Sequence, residues 1–81
     1  MDKPIIDYPC DWEYRLIGLS EQVLRAAVVS LVPSEHKLEP SKESKKGKYV
    51  SYCLTVQVID EGHRHRLFEA LKVHVDIQFV L

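Results

Sequence analysis

Residues 46–58 read KGKYVSYCLTVQV, a basic turn followed by the longest strand-like alternation in the chain. From residue 52 onward every second side chain is apolar, at Tyr52, Leu54, Val56 and Val58. A period of two is typical of a strand that buries one face. We therefore expect this segment to lie in a sheet that is covered on one side.

Two amphipathic helices are predicted, one before and one after this strand. Ser20 is a good N-cap for a helix over residues 21–32 that ends before Pro33, and Asp60 is a good N-cap for the second. The apolar stripes predicted to face the sheet are Val23, Leu24, Ala27, Val28 and Leu31 in the first helix and Leu67, Phe68 and Leu71 in the second. These helices are the expected cover.

Three more strands are predicted from the remaining alternation. Residues 12–18 form the first, with the aromatic set toward the helices and Glu13, Arg15 and Ile17 on the other face. Residues 36–42 form an edge strand, because Pro40 cannot donate to a ladder. The last strand covers residues 75–81, and the charged residues 41–48 are predicted to form a hairpin loop. The alternating apolar positions of the last strand are Val75, Ile77, Phe79 and Leu81.

The order strand, helix, strand, strand, helix, strand is that of an α+β ferredoxin-like βαββαβ plait. Its four-stranded antiparallel sheet carries both helices on one face. Right-handed crossovers place the first and third strands in the centre and the Pro40 and C-terminal strands at the edges. We expect a single domain over residues 1–81, with residues 1–10 as an irregular lead-in that contains Pro4 and Pro9.

Composition restricts the class of protein. Hydrophobic residues make up 46% and charged residues 28% of the chain, as in ordinary globular domains. The net charge of -1 counts against a dedicated nucleic-acid binder. No apolar run is long enough for a signal peptide or a membrane span, so we expect a cytoplasmic protein without membrane association. Cys10 and Cys53 are expected to be free thiols.

No catalytic, metal-binding or cofactor-binding motif is recognised, and the sequence does not predict an enzyme. His63 and His65 are two residues apart on the second predicted helix, about 200° around its axis, and cannot chelate one metal ion together. Cys53 lies on the open sheet face with no fixed cation beside it, so nothing predicts a reactive thiolate.

The alternative function is nucleic-acid association through the lysine-rich hairpin and the open sheet face. Ribonucleoprotein-type domains share the topology and carry a Lys-Gly-aromatic motif on the third strand. Here Lys48 and Val50 occupy the positions of the stacking aromatics, so stacking is not favoured. Arg15, Lys45, Lys46 and Lys48 are the residues of this alternative.

Four segments together resemble the YbeD-like family of small bacterial proteins of unknown function. They are Tyr14–Gly18 (YRLIG), residues 46–51 (KGKYVS), residues 67–71 (LFEAL) and residues 79–81 (FVL). The resemblance covers nearly the whole chain. It implies a fold similar to the ACT regulatory domains, which bind amino acids or other small metabolites at interfaces between paired domains. In those domains the junction after the first strand helps to bind the ligand, and Gly18 and Ser20 occupy that junction here.

We therefore expect a non-catalytic regulatory module that binds a small metabolite or a protein partner. Two oligomeric states stay open. The apolar C-terminal strand lies at a predicted edge, where it is available to pair with a second copy, because exposed edges are templates for association. Asp76 and Gln78 on the same strand favour a monomer instead.

Overall fold

The structure is a computed structural model that describes residues 7–81, except for the side chains of residues 42–46. Its elements are β1 (Cys10–Gly18), α1 (Glu21–Leu31), β2 (His36–Lys46), β3 (Tyr49–Val58), α2 (Glu61–Val73) and β4 (Phe79–Val80). All strand pairs are antiparallel, and the strand order is β2-β3-β1-β4. The predicted ferredoxin-like plait and its central and edge strands are confirmed. β1 begins at Cys10, and residues 1–6 of the expected lead-in lie outside the described residues.

The core lies between the helices and one face of the sheet. β3 contributes the predicted inward set, of which Leu54, Val56 and Val58 are buried and Tyr52 is half-buried. Among the described residues, the largest fully buried side chains are Leu16, Leu24, Leu54, Leu71, Val28 and Val58. Burying a side chain of this size stabilises the fold by roughly 1.5–3 kcal/mol. The inward side chains of the strands and the apolar stripes of the two helices therefore pack together in one hydrophobic core.

Both helices begin at the predicted N-caps. The Ser20 hydroxyl accepts a hydrogen bond from the backbone N–H of Val23 at 3.2 Å, and the Asp60 carboxylate accepts one from His63 at 2.7 Å. The His63 side chain also bonds back to the residue before the cap: its Nδ1 accepts a hydrogen bond from the backbone N–H of Ile59 at 3.1 Å. These bonds satisfy N–H groups that have no partner within the helix.

The hairpin between β2 and β3 is tighter than expected. The predicted loop over residues 41–48 is wrong, because β2 continues to Lys46 and the turn consists of Gly47 and Lys48. Gly47 has a φ of 59° and Lys48 does not have a positive φ, as in a type II′ turn with glycine first. Five steps along β2 from Pro40 to Lys45 match two steps along β3 from Tyr52 to Val50, so a bulge of three extra residues absorbs the length.

The last strand is shorter than its alternation predicts. The chain turns at Val75 and Asp76, and β4 contains two residues instead of the seven of the predicted segment 75–81. Ile77 is buried, whereas Val75, Phe79 and Leu81 are exposed. The turn breaks the period of two, so the four apolar residues do not share a face.

Candidate functional site

The most distinctive surface of the described chain is an apolar patch on the open face of the sheet. β4 places Phe79 directly opposite Ile17 of β1. Leu81 lies opposite Arg15, and the two residues exchange backbone hydrogen bonds of 3.1 and 2.9 Å. Opposed residues of an antiparallel pair point to the same face. Phe79 is 60% exposed and Leu81 is 69% exposed, so large apolar side chains face solvent here.

Tyr49 and Ser51 of β3 extend this surface into a groove of about 340 Å³. Ser51 lies opposite Ile17 and is only 8% exposed, which places it on the floor of the groove. We call this site the open-face groove; its lining residues are Arg15, Ile17, Ser41, Tyr49, Val50, Ser51, Phe79 and Leu81.

The open-face groove carries positive charge at one end. Arg15 is the one lining side chain that is charged at neutral pH among the described residues. Lys48 adds a second cation nearby, since its ammonium nitrogen lies 5.3 Å from the centre of the Tyr49 ring. The side chains of the groove therefore combine aromatic and aliphatic surface with one cation in the lining and a second beside it.

The outer edge of β4 is a second feature of this corner. Arg15 and Leu81 form a hydrogen-bonded pair, so the adjacent pair of Leu16 and Val80 is of the non-hydrogen-bonded kind. The N–H and C=O of Val80 therefore point away from β1. Within residues 7–81 no strand pairs with this side of β4.

The Gly18–Ser20 junction, which the family resemblance favours as a ligand site, is closely packed. A Cβ on Gly18 would lie 2.6 Å from Cδ2 of Leu24 and 3.0 Å from the carbonyl oxygen of Asp76. The Ser20 hydroxyl is occupied in capping α1. Both residues thus have a structural reason to be present, and their ligand role stays a prediction.

The four residues of the nucleic-acid alternative do not all fall in the described part of the chain. Arg15 and Lys48 are exposed on the open side of the sheet, at the groove and at the turn. The side chains of Lys45 and Lys46 lie outside the described residues. Tyr49 has the outward position and Tyr52 the inward one, as the alternation predicts.

On the helix side, an aromatic cluster fixes α2 to β1. The Tyr14 hydroxyl donates a hydrogen bond to the backbone carbonyl of Arg64 at 2.9 Å, and the Arg64 guanidinium lies 4.2 Å from the centre of the Trp12 ring. Burial raises the pKa of the Tyr14 phenol, although the Arg64 charge acts in the opposite direction and Tyr8 adds to the rise.

A second polar contact lies at the start of α1. Arg25 donates to the Glu21 carboxylate at 2.6 Å, and this hydrogen bond is the main reason why the pKa of Glu21 is lowered. Burial and the nearby Glu21 carboxylate raise the pKa of the Tyr52 phenol. Glu21 directly follows the Gly18–Ser20 junction and interacts with both Arg25 and Tyr52, so polar contacts link the start of α1 to β3.

Three histidine rings are engaged by the backbone. Nδ1 of His63 accepts from Ile59, Nδ1 of His74 accepts from Asp76 at 3.1 Å, and Nδ1 of His36 lies 2.9 Å from the carbonyl oxygen of Ser34. Cys10 and Cys53 are not joined by a disulfide bond. In the part of the chain that the structure describes, no three metal-ligating side chains come together.

Sequence reasoning missed the contribution of Phe79 and Leu81 to the open face. The simple alternation of residues 75–81 placed them with the buried Ile77. Asp76 favours a turn before β4 and could have indicated the break. The sequence pattern does not, however, fix which of the following residues face the helices.

Comparisons with known proteins define the family. Residues 3–81 match the family model described as Protein of unknown function (DUF493). The chain belongs to this family. DUF493 proteins with similar sequences include a UPF0250 protein of Hahella chejuensis, 33% identical and covering 99% of this chain and 93% of its own length. An uncharacterized protein of Campylobacter jejuni is 35% identical, and the match covers 98% of this chain and 90% of that protein. The resemblance to the YbeD-like family is thereby confirmed.

The fold of the DUF493 chain is also that of a solved relative. The solution structure of protein HP0495 from Helicobacter pylori superimposes with a TM-score of 0.78 at 28% identity. The match covers 98% of this chain and 88% of that one. Within residues 7–81, neither helix of this DUF493 protein is long and apolar enough to cross a membrane.

Proposed function

We propose that this protein is a non-catalytic regulatory module, similar to ACT domains, that forms a homodimer through β4 and binds a small metabolite beside the Gly18–Ser20 junction. The observation that carries the proposal is the outer edge of β4, where the backbone of Val80 points away from β1. An exposed strand edge is a template for pairing with another strand.

A second copy pairs favourably with this edge. Antiparallel pairing about a two-fold axis at Val80 sets Phe79 opposite Leu81 of the second copy, and the reverse. Both side chains are mostly exposed in one copy. A two-fold interface uses the same surface twice, so a patch that complements itself favours this symmetry. The dimer would continue the sheet and join two open faces.

The position of the junction supports ligand binding next to this interface. Gly18 lies close to the segment that leads into β4, because a Cβ added to it would meet the Asp76 carbonyl oxygen at 3.0 Å. A copy bound on β4 therefore lies beside the junction, as the resemblance to paired ACT domains implies.

The chemistry of the described side chains supports a non-catalytic role. The Nδ1 atoms of His63 and His74 accept backbone N–H groups. In the neutral ring the proton is then on Nε2, so neither nitrogen of these two rings offers a free lone pair to a substrate. The unpaired thiols of Cys10 and Cys53 agree with a reducing compartment, and we place the protein in the cytoplasm.

Sedimentation equilibrium tests the dimer. We expect the wild-type chain to sediment as a dimer and the Val80→Pro variant as a monomer, since proline removes the outward N–H without removing a bond to β1. Val80→Ala keeps that N–H and should remain dimeric. A wild-type chain that is monomeric at millimolar concentration contradicts the proposal.

Amide chemical shifts test the ligand. We expect one compound in a set of amino acids and central metabolites to shift the amide signals of Gly18, Leu19 and Ser20 in the wild-type dimer. If the dimer forms and none of these compounds moves those signals, the ligand part of the proposal is wrong and the dimer part stands.

A further inference from the structure

We infer that the open-face groove is a binding site for a planar aromatic carboxylate. The inference does not rest on the proposed dimer. Pairing through β4 uses the outward backbone of Val80, whereas the groove is formed by side chains that project from the face of the sheet. Phe79 and Leu81 belong to both surfaces, because their side chains line the groove and, in the proposed dimer, also lie beside those of the second copy.

The floor of the groove suits a flat ligand. Ser51 and Ile17 lie opposite each other on neighbouring central strands. The small side chain of Ser51 leaves a depression beside the larger Tyr49 and Phe79. Ser51 is more than nine-tenths buried and lies at the base of the groove. A serine hydroxyl both donates and accepts hydrogen bonds, so it suits a polar group of a ligand that lies on this floor.

The walls favour an aromatic ligand over other apolar molecules. Tyr49 lies at the hairpin end of β3 and Phe79 lies on β4. These two strands are on either side of β1, so the two rings form opposite walls of the groove. Aromatic rings gain from offset or edge-to-face contact in addition to area burial. The volume of about 340 Å³ is near the lower limit of ordinary ligand pockets, so a molecule of one or two rings fits.

Arg15 selects for an anion. It makes no ion pair with a described carboxylate, and the side chains directly beside it on the neighbouring strands, Cys53 and Leu81, are uncharged. The carboxylates nearest along the face, Glu13 and Glu39, do not line the groove. An arginine fork pairs with a carboxylate through two parallel hydrogen bonds.

A single-stranded nucleic acid fits these observations less well. Binding of a phosphate backbone depends on many neutralised phosphates, and the described lining supplies one cation. The net charge of -1 adds no long-range attraction. A small acid needs only the one guanidinium and the two rings.

The test compares 2-naphthoate with the neutral 2-naphthamide, which has nearly the same shape. We expect naphthoate to shift the amide signals of Arg15, Ile17, Ser51 and Phe79, and to bind roughly tenfold more tightly than naphthamide because of the charged pair. Arg15→Gln should remove this preference. Lys37→Gln, a change of the same charge at the other end of the open face opposite Thr55, should preserve it.

The monomeric Val80→Pro variant separates this site from the proposed dimer, since it keeps every lining side chain of the groove and should still bind naphthoate more tightly than naphthamide. Equal binding of naphthoate and naphthamide, shifts confined to another surface, or an unchanged preference in Arg15→Gln would each overturn the inference. Salt-sensitive binding of oligo-deoxythymidylate that displaces naphthoate would assign the groove to nucleic acid instead.

Discussion

The hydroxyl of Tyr14 on β1 donates to the backbone carbonyl of Arg64 in the first turns of α2, across 2.9 Å and fifty residues of sequence. The Tyr14 side chain is 2% exposed. The Arg64 guanidinium lies over the ring of Trp12, which is two residues before Tyr14 on β1. One strand thus fixes both the main chain and a side chain of the helix, which sets the position of α2 over the sheet.

Loss of this hydrogen bond should weaken the fold. We expect Tyr14→Phe to lower the free energy of unfolding by about 1 kcal/mol, the usual net value of such a bond. Urea denaturation followed by Trp12 fluorescence measures it. Tyr49→Phe is the control, because the Tyr49 hydroxyl has no hydrogen-bond partner in the described residues and this change should leave stability within about 0.5 kcal/mol. Equal losses in both variants would contradict the assignment.

Alkaline pH should destabilise the protein through the same residue. Burial raises the pKa of Tyr14 in the folded state, so its contribution is complete below the ordinary tyrosine pKa of about 10 and is lost as the pH rises through the folded-state value. The free energy of unfolding should therefore fall above about pH 10. Tyr14→Phe should fall less steeply over that range; an identical slope would assign the effect to other groups.

Acidification should act on the pair of Glu21 and Arg25. The hydrogen bond from Arg25 lowers the pKa of Glu21, so the carboxylate stabilises the fold above its ordinary pKa and this stability is lost as the pH falls through the lowered value. The pair is exposed and its effect is small. We expect Glu21→Gln to flatten the stability profile below about pH 5, and Glu69→Gln, an exposed residue of α2, to leave that profile as in the wild type.

Two glycines should respond in opposite ways to alanine. At Gly18 the new methyl group meets the fully buried Leu24 and the backbone oxygen of Asp76, so we expect a loss of about 1–3 kcal/mol from overpacking. At Gly62 it meets the end of the flexible Arg66 side chain at 3.0 Å, and helix propensity should raise stability by about 0.5–1 kcal/mol. Thermal unfolding of the two variants gives both signs. A neutral Gly18→Ala would show that α1 shifts freely on the sheet.

Ser20 separates capping from ligand binding. Ser20→Ala should cost about 1 kcal/mol through loss of the N-cap, and Ser20→Asp should retain the cap and most of the stability. Chemical denaturation compares them. If Ser20→Asp keeps its stability but loses the metabolite-induced amide shifts, the hydroxyl also serves the ligand. A stable Ser20→Ala would exclude the capping role.

The sequence predicts most of the fold, because the alternation of β1 and β3 and the caps at Ser20 and Asp60 are local signals that the tertiary structure reinforces. It fails at residues 75–81, where a turn at Val75 and Asp76 resets the parity, because the turn potential of Asp76 does not fix the register of the residues that follow. It also fails at the hairpin, since a bulge against β3 lets charged residues stay in a strand. The alternation predicts Arg15, Ile17 and Tyr49 on the open face, but the sequence alone could predict neither the Phe79 wall of the open-face groove nor its volume.

The irregular pairing of β2 limits how this protein can associate. Pro40 and the three-residue bulge interrupt the outer edge of β2, whereas the outer edge of β4 carries neither. Proline and bulges protect a sheet edge from joining another sheet. We therefore expect sheet extension on one side only. In the proposed dimer, two copies that meet through β4 would use up their available edges, and the assembly would close at two chains instead of growing into a fibre.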